Sequence, residues 1–213
     1  MLHHVFPTPI REVDLGIDPD QFKTYLNFVE QQNWCEDFDP WGNPHGYTTK
    51  IDYKEDILSL DTLKGLATRI DLEMSNFVFN DIGIDPHAHF IERTTSWANK
   101  QRFGDYISTL LHSNSHYSGV VYLKTPKESG KINFINEQNT WTYPGLAYNL
   151  HYTNKINSSS VSFLPEQQKL LLFPSFLKHY VDKSYSEELR YSLSFNYFVK
   201  GEYIDGISYL NLK

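Results

Sequence analysis

Residues 112 to 198 contain histidine, arginine and hydroxyl side chains at spacings that could form a metal-and-acid site. Two stretches carry them, HSNSHYSGVVYL from His112 to Leu123 and a longer segment from Leu170 to Phe198. In the longer segment an apolar run leads through a proline-containing turn to His179, and a predicted strand begins at Arg190. Side chains alternate between the two faces of a strand. This strand therefore has a polar face with Arg190, Ser192, Ser194 and Asn196, and an apolar face with Tyr191, Leu193, Phe195 and Tyr197.

The polar face of this strand has two interpretations. Polar residues in an aromatic strand can simply face solvent. An arginine at the head of the row, with a histidine shortly upstream, instead favours the ligand-lined lumen of a barrel.

The composition is that of one globular domain dominated by sheet. The chain has 213 residues, of which 40% are hydrophobic and 21% charged, and it contains 15 Tyr and 14 Phe. Aromatic enrichment favours sheet over a helix bundle. The single cysteine, Cys35, excludes an intramolecular disulfide and a thiolate metal site, so histidines and carboxylates remain as candidate ligands.

Charge and hydropathy exclude two classes of partner. A net charge of −7 argues against nucleic acid, because phosphate contacts need clustered Lys and Arg. No apolar run approaches the roughly 20 residues of a membrane span, and the N-terminus lacks the features of a signal peptide. We expect a soluble, cytoplasmic protein that does not bind a membrane.

The N-terminal flank, residues 1–86, is predicted to contain one strand and two covering helices. His4 to Ile10 has the prolines of an edge strand, and Asp18 caps a helix that begins at Pro19. The segment from Asp37 to Tyr53 is predicted to be loop, and Asp61 to Asn80 a second helix. The apolar stripes of the helices are interpreted as core packing; they are Phe22, Leu26 and Val29 in the first, and Leu63, Leu66, Ile70, Met74, Phe77 and Val78 in the second.

Residues 87–213 are predicted to form the jelly-roll core of the same domain. After Pro86 the hydrophobic period changes from 3.6 to 2, and turn residues divide the remainder into about eight strands. The predicted strands are Phe90 to Asn99, Asp105 to Leu111, Tyr117 to Thr125, Lys131 to Ile135, Leu146 to Thr153, Val161 to Leu164, Lys169 to Phe173 and Leu189 to Val199. The fold class is mainly β with flanking helices.

Several motifs in this order resemble the Fe(II)- and 2-oxoglutarate-dependent oxygenases. They are SWANKQRFGDY, HSNSHYSGVVYL, PKESGKINF, LLLFPSFLKHYV and RYSLSFNYF, with HVFPTPI near the N-terminus. The resemblance is greatest to a branch common in marine phages and bacteria, which is distantly similar to prolyl hydroxylases. It implies a cupin-like double-stranded β-helix, a mononuclear Fe(II), 2-oxoglutarate as cosubstrate, and oxidation of an organic substrate.

The resemblance also implies roles for individual residues. His179 matches the distal metal ligand, and Arg190 the residue that pairs with the far carboxylate of 2-oxoglutarate, a task suited to a planar fork of donors. Tyr122 matches a phenol on the same carboxylate, and Ser194 an assisting hydroxyl. Alternatives remain for each: a structural imidazole for His179, a surface ion pair with Glu187 or Glu188 for Arg190, and ordinary sheet packing for Tyr122 and Ser194.

The sequence departs from the family at one expected metal ligand. The branch has HxH before its SNS stretch, whereas this chain has Leu110, Leu111 and His112. Three alternatives follow. His112 and His179 hold the metal with water or with a third side chain, His116 being the nearest; the local register is shifted; or the metal site is lost. His116 is also a candidate loop residue, and His87 and His89 are expected to be solvated although they form an HxH.

The leading function is hydroxylation or a related oxidation that depends on Fe(II) and 2-oxoglutarate. One alternative is a catalytically impaired relative that binds 2-oxoglutarate or a similar small acid without turnover. Another is a jelly-roll structural or recognition module. The predicted substrate is a small molecule or a peptide. The sequence does not predict an oligomeric state.

Overall fold

A computed structural model of the chain describes residues 7–49, 56–137, 149–155, 157–204 and 208–213. Its helices are α1 (Pro19–Glu30) and α2 (Lys64–Ser75), with 3-10 turns at Ile57–Ser59 and Asp61–Leu63 and a π-helical turn at Asn76–Asp81. Its strands are β1 (Arg11–Asp14), β2 (Cys35–Phe38), β3 (Pro44–Thr48), β4 (His89–Gln101), β5 (Ile107–Leu110), β6 (Tyr117–Lys124), β7 (Ile132–Ile135), β8 (Ser160–Phe163), β9 (Lys169–Pro174), β10 (His179–Val181), β11 (Arg190–Ile204) and β12 (Tyr209–Leu212).

The strands form two antiparallel sheets that face each other. The large sheet has the order β1-β9-β6-β11-β4-β3-β2, with β12 paired to β11, and the small sheet has the order β5-β10-β7-β8. An apolar cluster joins their inner faces, with Val120, Tyr122, Leu171 and Phe173 from the large sheet and Ile132, Phe134 and Val181 from the small one. The mainly β, jelly-roll class predicted from the sequence is confirmed.

The helices cover the outer face of the large sheet, where a second core forms. Asp18 caps α1 by accepting from the backbone N–H groups of Asp20 and Gln21, as its sequence predicts. Tyr25 joins Phe22 and Val29 as a buried residue, while Leu26 is only partly buried. All six predicted apolar positions of the second helix are buried, although its last turns are π-helical rather than α-helical.

β11 separates the two cores. Its apolar residues Leu193, Phe195 and Tyr197 lie in the helix-side core, whereas Arg190, Ser192 and Ser194 line the interior between the sheets. The predicted alternation is thus confirmed, and the polar face is internal rather than exposed. Gly119 on β6 permits this packing, because a Cβ there would lie 2.5 Å from the Phe195 ring.

Three sequence predictions about the N-terminal flank and the strands are wrong. The predicted loop from Asp37 to Tyr53 contains, within its described part, the last two residues of β2 and all of β3. The turn between them is rich in Asp, Gly and Asn, and that composition hid two short edge strands. The first strand lies at Arg11–Asp14 rather than at His4 to Ile10, of which residues 4–6 are outside the described part. Of the predicted strand from Leu146 to Thr153, residues 149–153 are irregular and 146–148 lie outside the described residues.

Two further strands have no counterpart in the sequence predictions. β10 has three residues and β12 four, too few to establish a period. Within the described part of the chain, no helix is long and apolar enough to cross a membrane.

Candidate active site

A cavity of about 510 Å³ opens between the sheets. Its walls come from β4, β6 and β11 of the large sheet, from β5 and β10 of the small sheet, and from the β2–β3 hairpin. The ionisable side chains that line it are Asp37, Asp39, His45, His112, Tyr122, His179 and Arg190. Five of the six residues predicted to bind metal or cosubstrate line this one cavity; they are His112, His179, Tyr122, Arg190 and Ser194.

His179 is the first residue of β10, and one of its ring nitrogens forms a hydrogen bond within the protein. Its Nδ1 lies 2.9 Å from the carbonyl oxygen of Leu177, and a carbonyl only accepts, so Nδ1 carries the proton and Nε2 keeps a lone pair. Burial lowers the pKa of His179, partly opposed by this hydrogen bond. The result is a neutral imidazole with a free lone pair, which is the form that binds a metal.

His112 lies two residues beyond the end of β5, next to His179. The two ring centroids are 5.2 Å apart, and the backbone N–H of His112 donates to the carbonyl oxygen of Ser175 at 3.0 Å. The indole of Trp97 lies 5.7 Å from the His112 ring. Backbone and aromatic contacts thus bring the two predicted imidazoles to one wall of the cavity.

Leu110 occupies the position where a third ligand is expected. It pairs directly with His179 in the antiparallel β5–β10 ladder and lines the cavity. Cross-strand partners share a face, so the isobutyl group lies beside the imidazole. Within the described ranges, no three His, Cys, Asp or Glu side chains are close enough together to hold a metal.

The predicted third ligand His116 lies outside this cavity. Its ring stacks on Phe198 with centroids 4.1 Å apart, and its Nδ1 accepts from the backbone N–H of Val199 at 2.9 Å. Burial lowers its pKa. His116 thus has a structural environment, which corrects its assignment to the metal on sequence proximity.

His87 and His89 differ in their environments. His87 is exposed, as expected. His89, in contrast, belongs to β4 and lies against Tyr203 with ring centroids 4.8 Å apart, so the prediction that both are solvated is wrong for His89.

Arg190 is a buried cation whose described partners are carbonyl groups. Only 2% of its surface is exposed, and its Nη1 donates to the carbonyl oxygens of Ser129 and Gly130 at 3.2 and 3.5 Å. Its Nε has no hydrogen-bond partner in the described part of the chain. The alternative of a surface ion pair with Glu188 is not realised, because that carboxylate lies 3.6 Å from Lys124 instead. Burial lowers the pKa of Arg190.

Tyr122 lies next to Arg190, and its buried hydroxyl, like the Arg190 Nε, lacks a hydrogen-bond partner among the described residues. Its ring centroid lies 5.1 Å from the Arg190 guanidinium. Burial raises the pKa of Tyr122, so the phenol stays protonated and can donate. A buried polar group without a partner costs about 1–3 kcal/mol, and two of them facing one cavity form a site for an anion with several acceptor atoms.

Asn99 and Trp97, which the sequence motifs contain but which had no predicted role, support Ser194. The Asn99 amide donates to the Ser194 hydroxyl at 2.9 Å, and the Trp97 indole N–H donates to the Asn99 side-chain oxygen at 3.1 Å. Since Ser194 Oγ accepts from Asn99, its own proton can be donated into the cavity. The alternation of Trp97 and Asn99 opposite Ser194 and Ser192 was the signal that could have identified them.

Residues 95–196 match the model of a protein family described as "Putative 2OG-Fe(II) oxygenase". This match confirms the predicted resemblance over the part of the chain that carries the cavity. No curated protein is significantly similar to the chain in sequence.

Solved structures of 2-oxoglutarate oxygenases share the fold. The α-ketoglutarate-dependent epimerase SnoN from nogalamycin biosynthesis has a TM-score of 0.64 at 14% identity, over 94% of this chain and 83% of that one. A prolyl hydroxylase from Trichoplax adhaerens, complexed with a peptide of hypoxia inducible factor, has a TM-score of 0.60 at 15% identity, over 89% and 83%. HygX from Streptomyces hygroscopicus, with nickel, 2-oxoglutarate and hygromycin B bound, has a TM-score of 0.58 at 12% identity, over 89% and 82%. The double-stranded β-helix expected from the resemblance is thus confirmed.

Proposed function

We propose that the protein is an Fe(II)- and 2-oxoglutarate-dependent oxygenase that hydroxylates an organic substrate. The observation that carries this proposal is the buried pair of Arg190 and Tyr122. Each has a donor without a hydrogen-bond partner in the described part of the chain, and both residues line the same cavity as two adjacent imidazoles. The family match over residues 95–196 supports it.

The Arg190 and Tyr122 pair fits the far carboxylate of 2-oxoglutarate. A carboxylate offers about four acceptor positions and a full negative charge. It would accept from the guanidinium Nε and the phenol, both of which lack a hydrogen-bond partner among the described residues, and it would supply a negative charge to the buried guanidinium. Ser194, oriented by Asn99, would add a third donor.

His112 and His179 fit a metal ion as a two-imidazole site. Imidazole nitrogens suit iron, and non-haem iron oxygenases need open positions for oxygen and cosubstrate. With Leu110 where a third side chain is expected, the protein would supply two ligands, and the remaining positions would be filled by the 2-oxo acid and water. Fe(II) with bound 2-oxoglutarate would supply the oxidation of a C–H group by O₂, with release of succinate and carbon dioxide.

The surrounding residues would orient the cosubstrate and exclude bulk water. The Leu177 carbonyl fixes the His179 tautomer, and Phe134 and Phe173 pack against that ring with centroids 5.7 and 5.0 Å away. A low-polarity wall of this kind strengthens the interactions of charged ligands inside the cavity. The likeness to HygX and to a prolyl hydroxylase supports a small molecule or a peptide as substrate.

An anaerobic titration of the full chain with Fe(II) and 2-oxoglutarate tests the proposal. We expect the weak visible charge-transfer band of an iron-bound 2-oxo acid, followed on admission of air by succinate production without added substrate. The band without succinate would mark an impaired relative that binds both groups, and the absence of any binding would leave a structural or recognition module.

A further inference from the structure

We propose that the β2–β3 hairpin recognises a cationic amino group on the substrate, through Asp37 and His45. This inference rests on the proposed function and extends it to the substrate class. The substrate it describes is an alkylammonium compound, in which an apolar spacer separates the amino group from the carbon that reacts.

The hairpin is fastened to the strand that leads to the metal site. The backbone N–H of Tyr106 donates to the His45 carbonyl oxygen at 3.1 Å, and its hydroxyl donates to Asp39 Oδ2 at 3.0 Å. Tyr106 directly precedes β5, which carries Leu110 opposite His179. The hairpin is therefore a fixed wall of the cavity.

His45 is buried in this wall without a hydrogen-bond partner. Only 5% of its surface is exposed, and within the described residues neither ring nitrogen makes a hydrogen bond. Its Nε2 lies 3.1 Å from Asp37 Oδ2, but off the direction of a hydrogen bond. A buried imidazole that lines a cavity and lacks a partner indicates a ligand group that is still to be supplied.

The charges on this wall favour a cation over an anion. Apart from the groups assigned to metal and cosubstrate, the charged side chains that line the described cavity are the carboxylates of Asp37 and Asp39. Asp39 is occupied by the protein, since it accepts from the backbone N–H groups of Trp41 and Asn43, from the Asn43 amide and from Tyr106. Among the described residues, the Asp37 carboxylate accepts one hydrogen bond, from the following backbone N–H of Phe38 at 3.2 Å, and it lies beside His45. It is 42% exposed at the side chain, so an incoming ammonium group can reach it.

The lining of the cavity also offers apolar surface. Phe38, Ile107, Leu110 and Leu111 contribute to it. An ammonium group held by Asp37 and His45 would therefore be followed by a hydrocarbon spacer that packs on these side chains.

Two matched probes test this inference, Nα-acetyl-lysine N-methylamide and Nα-acetyl-norleucine N-methylamide, which share the same four-carbon side chain and differ by one terminal ammonium group. Each is titrated into the full chain, loaded anaerobically with Ni(II) and 2-oxoglutarate, and its Kd is measured by NMR chemical-shift changes. We expect the lysine probe to bind at least tenfold more tightly than the norleucine probe. In Asp37→Asn, the Kd values of the two probes should be nearly equal.

Glu36→Gln is the matched control, because it removes the same charge from the neighbouring, exposed position of β2, outside the cavity lining. It should leave the preference intact. Equal affinity for the two probes, absence of binding by both, or equal effects of Asp37→Asn and Glu36→Gln would overturn the inference. Binding of 2-oxoglutarate to the same sample is measured first, so a failure of the proposed oxygenase site is distinguished from a failure of the amine site.

Discussion

Leu110 and His179 face each other across the β5–β10 ladder, and both line the cavity. A leucine is thus placed where an imidazole would share a metal with His112 and His179. Under the proposed function, a histidine at position 110 would supply the third side chain that the family pattern predicts.

Leu110→His should therefore raise the affinity for Fe(II), because a third protein ligand replaces a water that the two-histidine site must keep. Uncoupled succinate production should rise with it. The measurement is an anaerobic Fe(II) titration followed by a succinate assay. Leu164→His is the control, since it adds an imidazole at an exposed position outside the cavity lining. Equal iron affinity in the two variants would contradict the assignment of position 110.

Arg190→Lys should weaken the binding of 2-oxoglutarate by roughly 1.5 to 3 kcal/mol, the range of a hydrogen bond to a charged group. Lysine keeps the positive charge but loses the planar fork of donors, including the Nε that has no hydrogen-bond partner among the described residues. Calorimetry in the presence of an inert divalent metal gives the affinity. Arg102→Lys, at a half-exposed arginine that stacks on Tyr47, should have no effect. Unchanged affinity in Arg190→Lys would remove Arg190 from the site.

Leu171→Ala and Leu172→Ala should each lower the free energy of unfolding by about 2 to 5 kcal/mol. Both leucines of β9 are fully buried, Leu171 in the core between the sheets and Leu172 in the core beneath the helices. Urea denaturation of each variant provides the measurement. Leu164→Ala, at a leucine that is 59% exposed, should change stability by less than about 1 kcal/mol. If either core variant were as stable as that control, the two-core architecture would be wrong at that strand.

Asp39→Asn should destabilise the protein at neutral pH, and this difference should vanish in acid. The Asn43 amide, assisted by backbone N–H groups and the Tyr106 hydroxyl, lowers the pKa of Asp39 from 3.8 to about 2. A depressed pKa in the folded state means that the ionised carboxylate stabilises the fold above pH 3.8 and loses this contribution as the pH falls toward 2. Thermal unfolding of wild type and variant from pH 7 to pH 3 should show converging Tm values. A constant difference across this range would show that the charge of Asp39 contributes nothing.

The sequence predicts the parts of this site that depend on local periodicity. Alternation predicts that Arg190 and Ser194 share one face of a strand, and the upstream His179 favours an internal position for that face, while helical spacing predicts the buried residues of α2. His116 was misassigned because spacing along the chain does not tell where a loop turns, and the hydrogen bond from the His116 backbone N–H to the Tyr197 carbonyl carries its ring away from the cavity. The role of Asn99 depends on the pairing of β4 with β11, so the alternation of Trp97 and Asn99 indicates it only when that register is known. The role of His45 arises from a hairpin of low β propensity, which no local pattern predicts.

The burial of both faces of β11 restricts which changes in length this strand can accept. A one-residue shift of register exchanges the two faces of a strand. It would bring Arg190 and the serines against the helices and Tyr191, Leu193 and Phe195 into the cavity, so both cores and the cosubstrate site would be lost in one event. Insertions and deletions should therefore be confined to the connections on either side of β11, whereas single substitutions on one face leave the other face intact.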